Sequence, residues 1–223
     1  MKELIIYHHL GLGDHIICNG LVREIIKKNQ YKFYKLIVKN HNIFSVEFMY
    51  RDIENLSFIS VKDDFEADQF ILKSNIPYIK VGFKSPPENI TWDQLFYVEA
   101  NIDFNKRWDS FYVKRDILSE EKLFNKLNPK RESYILVHTL GSTNRDGIDY
   151  SVLNKSLKTI FVEKYTDVIF DYMNLIENAT QIHCISSSFQ TIVDSMNIDI
   201  PVFYHNKINN NIPQKFKLNW ILV

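Results

Sequence analysis

The sequence predicts an α/β protein made of two halves, each a parallel sheet covered by helices. Two observations carry that expectation. From residue 4 to residue 82, short apolar runs alternate with segments of helical periodicity, the pattern of strands joined by helical crossovers. After an irregular middle, the same alternation restarts at Tyr134. A chain of 223 residues has room for two small domains of this kind.

The elements follow in order. Residues 4–8 are an apolar run ending at Gly11-Leu12-Gly13-Asp14, as a buried strand entering a tight turn would. From 14 to 28 the apolar positions Ile16, Ile17, Leu21, Val22, Ile25 and Ile26 recur at helical spacing. Asp14 stands where an N-cap is expected, and Lys27 and Lys28 suit the negative end of the helix dipole. Strands are expected over 34–38, 56–61 and 78–82, with helices over 44–50 and 65–72 between them. Ser85-Pro86-Pro87 breaks the rhythm. Helices over 93–100 and 120–127 flank an extended stretch over 107–113. The second half reads as strands over 134–139, 159–162, 181–185 and 202–204, helices over 169–178 and 188–196, and an edge strand over 220–223. Pro129-Lys130-Arg131-Glu132 is the best linker, so the expected division is 1–118, a linking helix over 119–132, and 133–223.

Composition narrows the function. Lys plus Arg and Asp plus Glu both number 27, which gives no general attraction to nucleic acid or to an anionic membrane. Anion binding must therefore be local. No stretch approaches the ~20 apolar residues of a transmembrane helix, and the N-terminal apolar run is too short for a signal peptide, so a cytoplasmic protein is expected. Cys18 and Cys184 lie in apolar periodic segments and read as buried free thiols, with neither a disulfide framework nor a zinc ligand set.

Three motifs fall at strand carboxyl ends, where open parallel sheets bind ligands. The first is Gly11-Leu12-Gly13-Asp14. Gly11 and Gly13 let backbone approach a ligand, and a helix N-terminus favours an anion. The dinucleotide fingerprint is not met: its third small position is Ile16, and Lys39-Asn40 ends the second strand instead of an acid. There is no phosphate-loop Gly-Lys-Ser/Thr. The plainer reading is a tight turn with an Asp cap. The second motif is the loop over 138–146, where Thr139, Ser142, Thr143 and Arg145 supply donors and Arg145 can grip a phosphate with two hydrogen bonds. A solvated polar loop explains it equally well. The third is Ser186-Ser187-Ser188 with Gln190, hydroxyls and N–H groups at a strand-to-helix junction, one of which a helix cap would itself require. His183, inside the preceding strand, reads as a core histidine.

In their order along the chain, these motifs resemble the heptosyltransferase-type GT-B glycosyltransferases. Gly11-Leu12-Gly13-Asp14-His15-Ile16-Ile17 is similar to the start of those enzymes, the segment over 137–146 to the opening of their donor domain, and the segment over 179–196 to their late strand–turn–helix. The resemblance implies two Rossmann-like domains facing a cleft. It implies Asp14 as the general base on an acceptor hydroxyl and Arg145 as the cation that offsets pyrophosphate charge. The chain departs from the pattern where Ser186-Ser187-Ser188 replaces the usual Asp-Ser-Gly, and it is short for the family.

The expected activity is transfer of a sugar from a nucleotide sugar to a hydroxyl of a glycan or lipid-linked glycan. No metal or other cofactor is expected, since there is no Asp-x-Asp motif and its nearest approach, Glu66-x-Asp68, lies in a helical pattern. The donor contacts would be Thr139, Ser142, Thr143, Arg145, Ser186, Ser187, Ser188 and Gln190. A non-catalytic nucleotide-sugar or glycan binder of the same fold, and a GT-B-like nucleotide-sugar epimerase, are the alternatives.

Overall fold

The computed structural model describes residues 2–141, 147–206 and 214–223. The chain divides into two compact units. One runs to Lys114 and takes in Lys215; the other begins at Arg115 and takes in 216–223. The division thus falls just before the expected boundary at 118, and the expected linking helix belongs to the second unit.

The first unit contains β1 (Glu3–Tyr7), α1 (Leu12–Ile17), α2 (Asn19–Lys28), β2 (Phe33–Lys39), α3 (Ile43–Met49), β3 (Leu56–Val61), α4 (Asp64–Lys73), β4 (Tyr78–Lys80), α5 (Trp92–Glu99) and α6 (Lys106–Asp109). Its four strands are all parallel, in the order β3-β2-β1-β4. The chain moves outward from β1 through β2 to β3, then returns to the other side of β1 for β4. The order therefore reverses beside β1, and such a switch point leaves a crevice at the strands' carboxyl ends. β1 is central, and Leu4, Ile5, Ile6 and Tyr7 are all buried, which is why it reads as an unbroken apolar run. Ala67 and Ile71 of α4 close one side of the core against Ile5, Tyr7, Ile37 and Val61.

Two expectations for this unit are corrected. The single helix over 14–28 is two helices joined at Cys18, whose backbone has φ −82° and ψ 5°. The joint remains hydrogen-bonded, with Cys18 N–H donating to Asp14 O at 2.8 Å and Val22 N–H to Cys18 O at 2.9 Å. Beyond the joint, Asn19 grips Tyr112 by both its backbone N–H and its C=O. The stretch over 107–113 is not extended throughout, because α6 occupies its start. Asp103 accepts from Asn105 N–H to open that turn, and the fully buried Arg107 pairs with the fully buried Asp93. Gly20 is what lets α2 approach α6, since a Cβ there would lie 1.9 Å from Lys106 O.

The second unit contains α7 (Ile117–Leu127), β5 (Tyr134–His138), β6 (Lys158–Phe161), α8 (Met173–Glu177, after a 3-10 turn over Ile169–Tyr172), β7 (Gln181–Cys184), α9 (Ser188–Ser195), β8 (Val202–Tyr204) and β9 (Ile221–Leu222). The strand order is β6-β5-β7-β8-β9, again all parallel. α7 starts at Ile117 rather than at 120 because Asp116 caps it, accepting from Ser119 N–H at 3.2 Å. β9 is held in place by Asp194, whose carboxylate accepts from the N–H groups of Lys217 and Leu218 and from Trp220 Nε1. Both cysteines are buried and free. Among the described residues, no helix is long and apolar enough to cross a membrane.

Candidate active site

At the switch point of the first sheet lies a cavity of about 390 Å³. His9, Leu10, Gly11 and Asp14 reach it from the β1–α1 junction, and Lys39 from the end of β2. Asp64 and Asp68 reach it from α4, and Phe83 from the segment after β4.

The turn after β1 aims Asp14 inward. Gly11, not Asp14, is the N-cap of α1, so the expected capping role is corrected. The helix begins at Leu12, so Asp14 is its third residue. From there its carboxylate accepts a hydrogen bond from Gly11 N–H. A Cβ on Gly11 would lie 2.6 Å from Asp14 Oδ2, so the glycine makes room for the carboxylate.

The electrostatics of Asp14 also differ from expectation. A helix N-terminus should favour the ionised carboxylate. Burial outweighs that effect and pushes the carboxyl up to about 6; His9, the Gly11 N–H and Lys39 pull it down, while Asp64 adds to the rise. A carboxyl half-protonated near pH 6 is ionised at neutral pH yet more basic than an ordinary Asp.

Lys39 and the two carboxylates of α4 are held in ion pairs. Lys39 Nζ lies 3.1 Å from Asp64 Oδ2, and Lys80 Nζ lies 2.5 Å from Asp68 Oδ1. Asp64 also accepts from Tyr7 OH at 3.4 Å. Phe83 packs against Tyr7 and His9, with ring centroids 4.6 and 4.7 Å apart, and Lys80 Nζ sits 4.4 Å from its ring. Beneath the site, His8 and His15 are fully buried with their rings edge to face at 4.5 Å. Burial drives both below the usual histidine range, His8 to about 4, so both are neutral. The sequence reading missed His9, Lys39, Asp64, Asp68 and Phe83 as a group. Their common signal is position: His9, Lys39, Asp64 and Phe83 lie at or just after strand ends, and Asp68 is one helical turn beyond Asp64.

In the second unit, β5 and β7 are neighbours, with His138 opposite Cys184. This brings Thr139 and the serines over 186–188 to adjacent strand ends. Ser187 is the N-cap of α9, its Oγ accepting from Gln190 N–H at 3.2 Å. The same Oγ lies 3.1 Å from His138 Nδ1. The His138 ring stacks on Phe189 at 5.0 Å, and burial lowers its pKa to about 4. Ser186 is exposed, Thr139 and Ser188 are half-buried, and Gln190 is fully buried, so its side chain is withdrawn from the surface. Ser142, Thr143 and Arg145 lie outside the described residues.

His183 is a core histidine, fully buried and stacked on Phe203 at 4.3 Å. His205 Nδ1 accepts from Asp149 N–H at 3.0 Å, which leaves its Nε2–H to donate to His183 Nδ1 at 3.0 Å. Both rings are therefore neutral. Among the described residues, no group of three or more His, Cys, Asp or Glu is placed to hold a metal ion.

No family model and no curated protein sequence matches the chain. Solved structures do match. The E. coli ADP-heptose LPS heptosyltransferase II gives a TM-score of 0.67 at 10% identity, over 100% of this chain and 90% of its own. The glycosyl transferase family 9 protein of Veillonella parvula gives 0.61 at 9% identity, over 100% and 86%. The fold is that of the GT-B-like glycosyltransferases. The iron-containing dodecameric glycosyltransferase TibC of enterotoxigenic E. coli matches at 0.56 and 9%, over 91% of this chain and 58% of its own. Identities this low relate the chains by fold, and the GT-B-like chain described here carries its own cavity chemistry.

Proposed function

We propose that the chain is a glycosyltransferase that moves a sugar from a nucleotide sugar to a hydroxyl of a glycan or lipid-linked glycan, in the cytoplasm and without a metal or other cofactor. The observation that carries this reading is Asp14, a carboxylate with a raised pKa in the cavity of a GT-B-like unit. In this reading the first unit receives the acceptor and the second unit binds the donor. Asp14 takes the proton from the acceptor hydroxyl as its oxygen attacks the anomeric carbon, and the glycosidic bond to the nucleoside diphosphate breaks. The diphosphate departs with the bonding electron pair. Its charge is met by donors at the ends of β5 and β7, namely Thr139, Ser186 and Ser188, joined by Ser142, Thr143 and Arg145. Ser187, already engaged as a cap, shapes the turn. The donor class is carried over from the E. coli neighbour, which is named for ADP-heptose.

The test has two steps. A thermal-shift screen over nucleoside diphosphates and nucleotide sugars identifies the donor, since a ligand at 100 times its Kd stabilises by about 2.7 kcal/mol. Transfer is then measured with Asp14→Asn. Asn retains the acceptor oxygen for Gly11 N–H, so the variant is expected to fold and bind donor but lose roughly 10²-fold or more in rate. Full transfer by that variant would remove Asp14 as the base. Donor binding with no transfer to any acceptor in the wild-type protein would favour the binding-protein alternative.

A further inference from the structure

The charges and the ring in the Asp14 cavity also specify what kind of acceptor fits. We infer that the cavity takes an uncharged saccharide and discriminates against sugar acids and sugar phosphates. This rests on the reading of the cavity as the acceptor site.

Three carboxylates dominate the polar walls, with Lys39 and the His9 ring as the other polar side chains. Asp14, Asp64 and Asp68 all line the cavity. Each ionised carboxylate offers about four lone-pair sites, and the contacts around them use only some. Asp14 accepts from Gly11 N–H, Asp64 from Lys39 and Tyr7, and Asp68 from Lys80. The remaining lone pairs suit groups that donate hydrogen bonds, which is what sugar hydroxyls do. An anionic acceptor would bring further lone pairs and negative charge into a space walled by three carboxylates. It would find Lys39, the lysine that lines the cavity, already paired with Asp64 at 3.1 Å. The Lys39–Asp64 pair is half-exposed, so freeing the lysine costs little by itself; what opposes the anion is the like charge of Asp64 left facing it.

The apolar part of the cavity suits a sugar as well. Phe83 is 38% exposed, and Tyr7 and His9 hold its ring in place. A fixed aromatic ring is a platform for the C–H face of a pyranose, while the carboxylates fix its hydroxyls. One apolar face with a few convergent polar groups is the usual make-up of a small-molecule site.

The experiment is an NMR titration of the 15N-labelled full chain at pH 7.5 with methyl glucoside and methyl galactoside, and with the corresponding uronic acids and 6-phosphates. The wild-type protein should show shifts of the Gly11, Asp14 and Phe83 amides with the glycosides, and the acids and phosphates should bind on the order of tenfold more weakly. Asp64→Asn releases Lys39 without removing bulk, and should close that gap by on the order of tenfold. Acids or phosphates binding as well as the glycosides, or no glycoside moving the cavity amides, would overturn the inference. Preference for an acid while Asp14→Asn still abolishes transfer would change the acceptor class and leave the transferase reading standing. Undiminished transfer by Asp14→Asn would remove that reading instead.

Discussion

Replacing Asp14 by Asn should stabilise the protein at neutral pH, by an amount that depends on pH in a defined way. The Asp14 carboxyl rises from the ordinary value of 3.8 to about 6 in the folded state, chiefly through burial. Between those two values the folded chain holds a proton that the unfolded chain has lost. Stability therefore falls as pH rises across this window, being fully present below 3.8 and lost through about 6. One pKa unit is worth about 1.4 kcal/mol, so the charged carboxylate costs roughly 1–3 kcal/mol at pH 7–8, allowing for partial solvent screening. Asn has the same shape, keeps the bond from Gly11 N–H and carries no charge. Urea unfolding followed by tryptophan fluorescence suits the measurement, since Trp92 and Trp108 both belong to the first unit. The variant should match the wild type near pH 4 and exceed it by roughly 1–3 kcal/mol at pH 8. A variant that is less stable at pH 8, or whose gain does not change with pH, would refute the placement of Asp14 as a half-buried, desolvated carboxylate.

Other perturbations test the frame around the site. Gly20→Ala puts a Cβ against the Lys106 carbonyl and should cost about 1–3 kcal/mol in urea unfolding, as overpacking against backbone does. Asp93→Asn leaves the buried Arg107 charge without its carboxylate and should cost about 3–5 kcal/mol, seen as a lower melting temperature. Ser187→Ala removes the cap on α9 and should cost about 1 kcal/mol, whereas Ser187→Asp should retain most of the stability.

The parts legible in the sequence are those in which local pattern and tertiary role coincide. β1 and β5 are central strands buried on both faces, so their unbroken apolar runs identify them directly. α9 announces itself by a serine cap ahead of a helical period. The joint at Cys18 and the helix α6 were not legible, because both are set by distant partners. Asn19 holds Tyr112, and Arg107 reaches Asp93 and the carbonyl of Lys215. For Asp14, sequence placed the residue just after a strand's carboxyl end but misjudged its electrostatic setting. The helix dipole is a local property and can be read from the chain, whereas desolvation depends on walls contributed by β2, α4 and Phe83. The same limit hid the cavity, whose lining is assembled from four strand ends separated by tens of residues.

The central claim is that Asp14 acts as the base with its pKa set by this cavity. The most direct measurement is the pH dependence of kcat/KM for transfer, using the donor chosen by the binding screen, from pH 4.5 to 8.5. The rate should rise along an acid limb centred near 6, tenfold per pH unit below it, and level off above 7. A rate that stays flat across pH 5–7 in the wild-type protein would contradict it.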